Sequence, residues 1–365
     1  MKAYYEVIAV SSDQKELIHV RDLQQVVVYA VQMTRQLTPV KDLIALFKLI
    51  HLFRKEKPQI VHSHTPKAGT LAMLAAWLCR VPIRMHTVAG LPLLESSGIK
   101  RIILDFVEKI TYTCATKVYP NSFGLKDIIL QNKYCSESKI KVIGNGSSNG
   151  IDTNYFSKDA ILPELKEKLR QNYQILSDDF VFIFIGRLVS DKGINELVVA
   201  FNAVYQKHSN AKLLLIGPRE SELDPLNEET DQILRNNPAV ICTGFQSDVR
   251  PFISISDVLT FPSYREGFPN VVMQAGAMGL PSIVTDINGC NEIIQENVNG
   301  MIVPSKDALS LENAMLEMLE NKEKRDRLAQ NTRPLIVERY EQQMIWQLIK
   351  QEYDEQLKKA NIINK

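Results

Sequence analysis

The stretch YREGFPNVVMQAGAMGLPSIVTD, residues 264–286, decides the fold, because it contains a turn, a helix and, after the small-residue break at 279–281, a strand. A Gly-Phe-Pro turn at 267–269 precedes a helical pattern that begins at Asn270, and the apolar run 282–285 is typical of a buried strand. The first turn of a helix presents free backbone N–H groups and a partial positive charge, so it binds anions well. The stretch therefore predicts an anion site beside the carboxylate of Glu266, in a layered α/β fold.

The same alternation of short β-branched runs and amphipathic segments extends along the whole chain, and it predicts parallel sheets with crossover helices. A polar stretch, 152–179, separates an N-terminal series of strands from a second series that begins near residue 180. We therefore expect two doubly wound, Rossmann-like domains that face a cleft, with ligands at the carboxyl ends of the strands. The N-terminal strands are predicted at 4–10, 26–31, 59–64, 83–88, 117–122 and 139–144.

Length and composition agree with two globular domains, because 365 residues are enough for two separate cores. The five cysteines are scattered and form no CxxC pair, so neither a zinc site nor a disulfide framework is expected. The longest apolar run, 70–79, is far too short to span a bilayer. The first residues become charged too soon for a signal peptide, and we expect a cytoplasmic protein. The expected bounds are 1–155 for the N-terminal domain, 156–340 for the C-terminal domain and 341–365 for helices that could pack back on the N-terminal domain.

Charge is divided unequally between the two parts of the chain. Residues 1–150 contain 20 Lys/Arg and 11 Asp/Glu residues, a net charge of +9, and residues 151–365 contain 23 and 31, a net charge of −8. A basic half can bind an anionic membrane surface, and the amphipathic segment 98–117, with Lys100 and Lys109, is the first candidate for that contact. The alternatives are that its apolar face packs on the sheet and that the lysines only solvate helices. Nucleic acid is not expected as a partner, because no basic run is interleaved with aromatic residues.

We use the word corner for a loop that joins a strand to the start of a helix, and the first corner is the loop before Asn270. A second corner lies in IFIGRLVSDKGINELVVAF, residues 183–201. Arg187 and Lys192 place two cations between a strand and a helix that starts near Gly193. Fixed cations beside a helix N-terminus suit a diphosphate and would stabilise it as a leaving group. In the first corner, the carboxylate of Glu266 could accept hydrogen bonds from hydroxyl groups. Two cations, a carboxylate and free amides in one domain therefore predict a nucleotide-sugar site.

Three motifs together resemble the retaining glycosyltransferases of family four, the glycosyl transferases group 1, which have the GT-B fold. The motifs are GRLVSDKG (186–193), TGFQSDV (243–249) and PSYREGFPNVVMQAGAMGLPSIVTDINGCNEII (262–294), and they stand in the family's order and spacing. The resemblance covers nearly the whole chain and is strongest from about residue 180 to residue 305. It implies a GT-B glycosyltransferase that uses a nucleotide-sugar donor.

The resemblance also implies a role for each residue of the donor site. Arg187 and Lys192 would bind the donor diphosphate, and Glu266 would hold hydroxyl groups of the transferred sugar. Gln274 stands where the family usually has a second Glu on the ribose, so a neutral contact is expected there. The segment 243–245 would flank the base, and the amides of 268–271 would bind sugar and phosphate. The implied donor-binding set is Gly186, Thr243, Gly244, Phe245, Gly267, Phe268, Pro269, Asn270, Val271 and Gln274.

One departure from the family concerns the loop IRMHTVAGLPLLE, residues 83–95. The family often has a histidine near the transferred sugar, and Ala89 occupies that position here. His86 lies three residues earlier and could enter the cleft as a catalytic group if the strand ends there. The alternative is a structural histidine. Glu95, farther along the same loop, is a candidate for contacting the acceptor.

Other candidates for the acceptor side lie after the strand QIVHSH and at the crossing between the domains. His64 and Lys67 are expected near the acceptor, and Asn149 would line the cleft or the hinge. His62 and His64 share one face of a strand and resemble a metal-binding pair, but no third ligand is clear. No Asp-x-Asp pair occurs either, and the two cations of the second corner can take the electrostatic role of a metal. Neither a metal nor another cofactor is therefore expected.

A second departure from the family lies at the start of the chain. No glycine occurs before Gly69, and YYEVIAVSS, residues 4–12, resembles the second strand of the family's N-terminal domain. The N-terminal domain is therefore expected to lack the family's first β–loop–α unit. Such a gap would expose sheet edges beside the strand at 59–64.

These observations lead to one expected function and two alternatives. The expected function is that of a metal-independent retaining glycosyltransferase, which transfers a sugar from a UDP-sugar to a hydroxyl of a surface glycan or a lipid-linked oligosaccharide. It would act in the cytoplasm, with peripheral attachment to the inner face of the cytoplasmic membrane. The alternatives are a nucleotide-sugar 2-epimerase on the same fold, and a nucleotide-sugar-binding protein that is not catalytic because its first unit is missing.

Overall fold

Alternating strands and helices run through the residues that the computed structural model describes, which are 1–33, 38–91, 93, 97–220 and 224–362. They group into two units. Unit 1 comprises Met1–Ser148 together with Ile345–Lys365, and unit 2 comprises Asn149–Met344. From Ile345 onward, the last helix of the chain therefore belongs to the same unit as the N-terminal residues.

The strands of unit 1 form two small parallel sheets. One sheet pairs β1 with β2, and the other has the order β3-β4-β5. Within the described ranges, β3 pairs with β4 alone. The predicted strand at 139–144 is wrong, because Ile140 makes only an isolated bridge to Val118 and Gly144 turns the chain with φ 58°. The strands are β1 (Ile8–Ser11), β2 (Val27–Ala30), β3 (Ile60–Ser63), β4 (Ile83–Val88) and β5 (Lys117–Pro120).

Helices of unit 1 begin where local sequence supports a helix start. The side chain of Asp13 accepts hydrogen bonds from two N–H groups of the first turn of α1, and α2 and α3 each begin with a proline, which lacks the N–H that would have no partner there. α3 packs against both α2 and α4. The helices are α1 (Gln14–Gln24), α2 (Pro39–Glu56), α3 (Pro66–Leu78), α4 (Gly98–Cys114) and α5 (Phe123–Gln131).

Unit 2 is built on one six-stranded parallel sheet of order β11-β10-β9-β6-β7-β8. The central strand β6 is FVFIFI, a continuous apolar run, as expected for a strand that is covered on both faces. Phe184 of β6 stacks on Phe261 of β9, with ring centroids 5.8 Å apart. The strands are β6 (Phe180–Ile185), β7 (Ala211–Ile216), β8 (Val240–Gly244), β9 (Val258–Phe261), β10 (Ser282–Thr285) and β11 (Gly300–Val303).

Helices connect these strands and complete the core of unit 2. The helix α7 packs on α8 and on α12, and α10 packs on α13. The prediction of an α/β fold with doubly wound parallel sheets is confirmed. The helices are α6 (Pro163–Asn172), α7 (Ile194–Lys207), α8 (Glu228–Asn236), α9 (Arg250–Ser254), α10 (Asn270–Ala277), α11 (Cys290–Ile293), α12 (Ala308–Glu320) and α13 (Lys322–Tyr340).

The last helix, α14 (Gln342–Lys359), is held to the sheet of unit 1 by a polar cluster around Glu352. Tyr119 donates a hydrogen bond of 2.9 Å to this carboxylate, and Lys141 Nζ lies 2.5 Å from it. Burial opposes ionisation of Glu352, but the hydrogen bonds from Lys141, Gln356 and Tyr119 hold its pKa below the ordinary value. Among the described helices, none combines the length and the apolar character needed to cross a bilayer.

Candidate functional site

The sheet of unit 2 has, at its centre, the change of direction at which open α/β sheets bind ligands. The chain passes from β6 to β7 and β8 on one side, and then crosses to β9, β10 and β11 on the other. The carboxyl ends of β6 and β9 therefore flank this point. Lys192 follows β6 and Glu266 follows β9, so the topology brings the two predicted corners together.

Lys192 and Glu266 form an ion pair at this point. Lys192 Nζ lies 2.5 Å from Glu266 Oε1, and the two side chains are only 16% and 17% exposed. Ser263 Oγ donates to the same Oε1 atom at 3.0 Å, and Asn288 Nδ2 donates to the backbone oxygen of Glu266 at 2.8 Å. The carboxylate is thus held in place, and the ammonium has three N–H groups with which it can also bind a further anion.

Arg187 lies at the carboxyl end of β6, as predicted, but it has a partner that the sequence does not indicate. Its Nη1 atom lies 2.7 Å from Glu220 Oε2, and the Arg187 side chain is 43% exposed. The hydrogen bond to Glu220 raises the pKa of the guanidinium, and the carboxylates of Asp191 and Glu266 act in the same direction. Carboxylates of the same unit therefore balance the charge of both cations of the site.

Two glycines let the loops of the site pack directly on each other. Gly193, with φ 70°, ends the loop after β6, and a Cβ atom there would clash with the backbone oxygen of Pro262. Gly289, with φ 80°, lies after β10, and a Cβ atom there would be 2.7 Å from the backbone oxygen of Gly267. Both positions require a left-handed conformation and leave no room for a side chain.

The helix α10 begins at Asn270, as the sequence predicts, and Pro269 lies at its N-cap. Asn270 is exposed, and Val271 and Gln274 are half-buried on the same side of the helix, whereas the opposite side is buried. Phe268 is 9% exposed, and its ring meets that of Tyr340 in a T-shaped contact. The Phe268 side chain therefore anchors the Gly-Phe-Pro turn, and any ligand contact of this residue would come from its backbone.

The segment predicted to flank a base lies at the same edge of the sheet. Thr243 and Gly244 end β8, an edge strand that β7 separates from β6. Phe245 follows directly and is 75% exposed. An exposed aromatic ring at the carboxyl edge is compatible with stacking on a base, although β8 lies two strands away from the Lys192–Glu266 pair.

Predicted acceptor-side residues of unit 1 lie near the carboxyl end of β3. Lys67, in the first turn of α3, pairs with Asp42 of α2 at 2.6 Å between Nζ and Oδ1. His64 follows β3 directly and is exposed. Asn149 is exposed and is the first residue of unit 2, and Glu95 lies outside the described residues.

His86 lies inside the sheet of unit 1. The strand β4 spans Ile83–Val88, as predicted, so the condition under which His86 would enter the cleft, a strand that ends at His86, is not met. The His86 ring is 2% exposed, its Nδ1 atom lies 2.8 Å from Ser63 Oγ, and Gly69 packs against it without room for a Cβ atom. Burial, with a smaller contribution from His64, lowers the pKa of His86 to about 3. This environment matches the structural histidine that the sequence leaves as the alternative.

The His-x-His pair of β3 does not form a metal centre with its neighbours. His62 Nδ1 lies 2.6 Å from the hydroxyl of Tyr353, and Nε2 lies 2.8 Å from Thr87 Oγ1, so protein groups occupy both ring nitrogens. Across the described part of the chain, no group of three or more His, Cys, Asp or Glu side chains is placed to hold a metal ion. Independence of a metal stays a prediction.

Sequence reasoning missed the residues that hold the ion pair in place. Ser263 and Asn288 both lie inside the longest motif, 262–294, next to its turns, so their position in that motif was an available signal. Glu220 lies in the loop after β7, outside all three motifs. Its contact with Arg187 depends on how β6 and β7 pair, which no local pattern encodes.

Comparison with known proteins extends these observations to the whole chain. Residues 166–334 match the family model for glycosyl transferases group 1, and residues 3–146 match that for a glycosyl transferase 4-like domain. The chain is 36% identical to the capsular polysaccharide biosynthesis glycosyltransferase CapM of Staphylococcus aureus, over 98% of this chain and 92% of that protein. It is 31% identical to the UDP-Gal:alpha-D-GlcNAc-diphosphoundecaprenol alpha-1,3-galactosyltransferase of Escherichia coli, over 79% of this chain and 73% of that protein.

A solved structure shows the same fold. The crystal structure of a glycosyltransferase from Rickettsia africae ESF-5 has a TM-score of 0.81 and 21% sequence identity, and the match covers 98% of this chain and 92% of that one. Sheet topology and this similarity together define the GT-B fold. The chain belongs to the family of glycosyl transferases group 1 and is a glycosyltransferase.

Proposed function

We propose that this enzyme moves a sugar from a UDP-sugar to a hydroxyl of a lipid-linked glycan, with retention of configuration at the anomeric carbon and without a metal ion. The observation that carries the proposal is the Lys192–Glu266 pair at the carboxyl ends of β6 and β9, with a separation of 2.5 Å. It combines a cation for a phosphate with a carboxylate for sugar hydroxyls at one point of the sheet.

The cations supply the charge that a departing diphosphate needs. When the bond between the anomeric carbon and the phosphate oxygen breaks, negative charge develops on UDP, and fixed cations stabilise that charge. Lys192 and Arg187 would provide it. Glu266 neutralises Lys192 in the ion pair, so a bound diphosphate would compete with Glu266 for the ammonium. Glu266, still held by Ser263, is then available to accept hydrogen bonds from the sugar.

Names of two relatives support the classes of donor and acceptor. The Escherichia coli relative is named for UDP-Gal as donor and for a sugar on diphosphoundecaprenol as acceptor. The Staphylococcus aureus relative is named for capsular polysaccharide biosynthesis. We therefore infer a polyprenyl-diphosphate-linked acceptor and a surface polysaccharide as the final product for this chain.

Product analysis tests the proposal. The purified enzyme is incubated with a panel of UDP-sugars and a polyprenyl-diphosphate-linked sugar, and the lipid product is examined by mass spectrometry and NMR. We expect one added sugar, with the anomeric configuration of the donor, at a rate that excess chelator does not change. Inversion at the anomeric carbon would exclude the retaining assignment, and inactivation by the chelator would exclude metal independence. Binding of UDP-sugars without product would exclude the transferase reaction for these acceptors.

Glu266→Gln and Gln274→Ala should separate sugar contacts from nucleotide contacts. Glu266→Gln removes a charge that faces the sugar, and we expect kcat to fall by roughly 100-fold or more, as for the loss of one group that stabilises a transition state. Its UDP affinity should be equal to or higher than that of the wild type, because UDP carries no transferred sugar and its diphosphate no longer competes with a carboxylate for Lys192. Gln274→Ala should instead weaken UDP binding by about 0.5–1.5 kcal/mol, the value of a neutral hydrogen bond. Equal effects of the two substitutions on UDP affinity, measured by calorimetry, would contradict this division.

A further inference from the structure

Two helices of unit 1 carry apolar stripes that face solvent. The stripe residues follow the spacing i, i+3, i+4, i+7, so each set forms one face of its helix. Their exposure ranges from 43% to 78%, whereas the buried face of α4 consists of other residues near its end. The sequence left open that the apolar face of 98–117 packs on the sheet. The stripe of α4 is instead exposed to solvent. The stripes are Val40, Leu43, Ile44 and Phe47 in α2, and Ile99, Ile102, Ile103 and Phe106 in α4.

Both stripes lie in the same helical layer and at the same edge of it. α3 separates the two helices and contacts both, and Lys67 at its start pairs with Asp42 at the start of α2. Each stripe occupies the first half of its helix, and these halves follow the carboxyl ends of β2 and β4. Thr70 in the first part of α3 lies 2.7 Å from Thr111 in the last part of α4, between hydroxyl oxygens. Because helices after parallel strands run in the same direction, the first half of α4 extends beyond the start of α3.

Charges around the stripes are of one sign. Every exposed charged residue of α2 and α4 is basic. None of the acidic side chains of these two helices is in the exposed class. Lys67 binds Asp42, Arg101 lies 3.1 Å from Asp105, and Lys55 lies 3.2 Å from Glu56, whereas Glu108 is 7% exposed. The exposed basic residues are Lys41, Lys48, Arg54 and Lys55 of α2, and Lys100 and Lys109 of α4.

We propose that these two stripes and their lysines form one docking surface for an anionic lipid bilayer, which we name the α2–α4 surface. The apolar side chains would enter the interfacial region, and the lysines would lie at the level of the anionic headgroups. The charge complementarity selects a bilayer over a second copy of this chain, because two copies of the same basic surface repel each other. Delivery of a lipid-linked acceptor to the carboxyl edge of β3–β5 would follow from this orientation, and only that consequence rests on the proposed function.

Vesicle co-sedimentation of the full chain tests the α2–α4 surface. One set of vesicles contains phosphatidylcholine alone, and the other also contains phosphatidylglycerol. We expect binding to rise with the phosphatidylglycerol fraction and to fall with added salt. The double variant Phe47→Ser/Phe106→Ser, whose side chains are 62% and 63% exposed, should lower the partition coefficient by about tenfold or more, because two apolar anchors are lost. The control is Leu162→Ser/Leu176→Ser in unit 2, with exposures of 68% and 63%, and it should bind as the wild type does.

Lysine substitutions separate the electrostatic contribution to vesicle binding from the contribution of the apolar side chains. Lys100→Glu/Lys109→Glu should weaken binding to anionic vesicles by about fivefold or more for each lysine, and it should change binding to phosphatidylcholine little. Wild-type binding by the Phe47→Ser/Phe106→Ser variant would overturn the proposal. The proposal would also be overturned if Phe47→Ser/Phe106→Ser converted a dimer into a monomer in ultracentrifugation without changing vesicle binding. That result would identify a second copy of the chain as the partner of this surface.

Calorimetry with UDP keeps this test separate from that of the proposed function. We expect Phe47→Ser/Phe106→Ser to bind UDP as the wild type does, since both residues lie in unit 1 and the Lys192–Glu266 pair lies in unit 2. A wild type that binds anionic vesicles but not UDP would refute the donor site and would support the α2–α4 surface. A wild type that binds UDP but no vesicles would overturn the surface alone.

Discussion

At the scale of single residues, the site depends on a competition for Lys192. Its ammonium is bound to Glu266, and the pair is mostly shielded from water. A diphosphate carries more negative charge than one carboxylate, so it can take the ammonium and leave Glu266 to the sugar. Arg187 is more exposed and pairs with Glu220, so its charge is more strongly screened by solvent.

Lys192→Ala should therefore weaken UDP binding more than Arg187→Ala does. We expect a loss of about 1.5–3 kcal/mol for Lys192→Ala, the value of a hydrogen bond to a charged group, and a smaller loss for Arg187→Ala. Isothermal calorimetry with UDP measures both. Lys207→Ala is the control, since Lys207 pairs with Glu312 at 2.8 Å in the same unit and has no role in the site. Unchanged UDP affinity in both site variants would show that the phosphate lies elsewhere.

Sequence motifs predict the site only as far as its chemistry is encoded locally. Lys192 and Glu266 were each predicted from their own strand–loop–helix corner, and the structure places them in direct contact. Glu220 could not be predicted, because its contact with Arg187 arises from the pairing of two strands. The environment of His86 could not be predicted either. Its burial against Ser63 and Gly69 depends on how the sheet and α3 pack, which the local sequence does not encode.

At the scale of elements, close packing of loops explains why the two corners meet. Gly193 precedes α7 and packs against the end of β9, and no local pattern reveals that contact. The order of strands and helices was predictable, because hydrophobic periodicity reports elements directly. The wrong prediction of a strand at 139–144 shows the limit of hydrophobic periodicity. The segment KIKVIG has β-branched residues, but Ile140 makes a single bridge and the chain turns at Gly144, so no strand forms.

Gly193→Ala compared with Gly279→Ala isolates this close contact. Both glycines have nearly the same positive φ, 70° and 71°, so each substitution carries a conformational cost of about 1–2 kcal/mol. Only at Gly193 does a Cβ atom also clash with backbone, whereas the space around Gly279 is open. We expect Gly193→Ala to lower the free energy of unfolding of unit 2 more than Gly279→Ala does. The expected difference is about 1–3 kcal/mol, which is the usual cost of overpacking.

Urea unfolding followed by hydrogen exchange of peptides from unit 2 measures this difference. We expect Gly193→Ala to weaken UDP binding as well, because the clash moves the neighbouring Lys192 away from the end of β9. Equal stabilities of the two alanine variants would mean that the loop after β6 is not packed on Pro262 as described.

At the scale of the whole molecule, the two units should respond differently to pH. His86 is buried and His62 is half-buried in unit 1, and loss of solvation holds the pKa of both side chains below the ordinary value, to about 3 for His86. In the unfolded chain these histidines take up protons as the pH falls through about 6.5. The unfolded state then binds more protons than the folded state, so the stability of unit 1 falls as the pH decreases below that value. Unit 2 contains only His208, which is half-buried and hydrogen-bonded to Glu320.

Tryptophan fluorescence can report this loss for unit 1 alone, because both tryptophans, Trp77 and Trp346, belong to that unit. We expect the free energy of unfolding from fluorescence-detected urea curves to fall by roughly 1–3 kcal/mol between about pH 6.5 and pH 5, since each titrating histidine contributes up to about 1.4 kcal/mol per pH unit. Exchange of unit 2 peptides should change much less over that range. His86→Gln, which cannot titrate, should make the fluorescence-detected dependence shallower. A pH-independent midpoint in the wild type would show that these histidines are not held neutral in the folded unit.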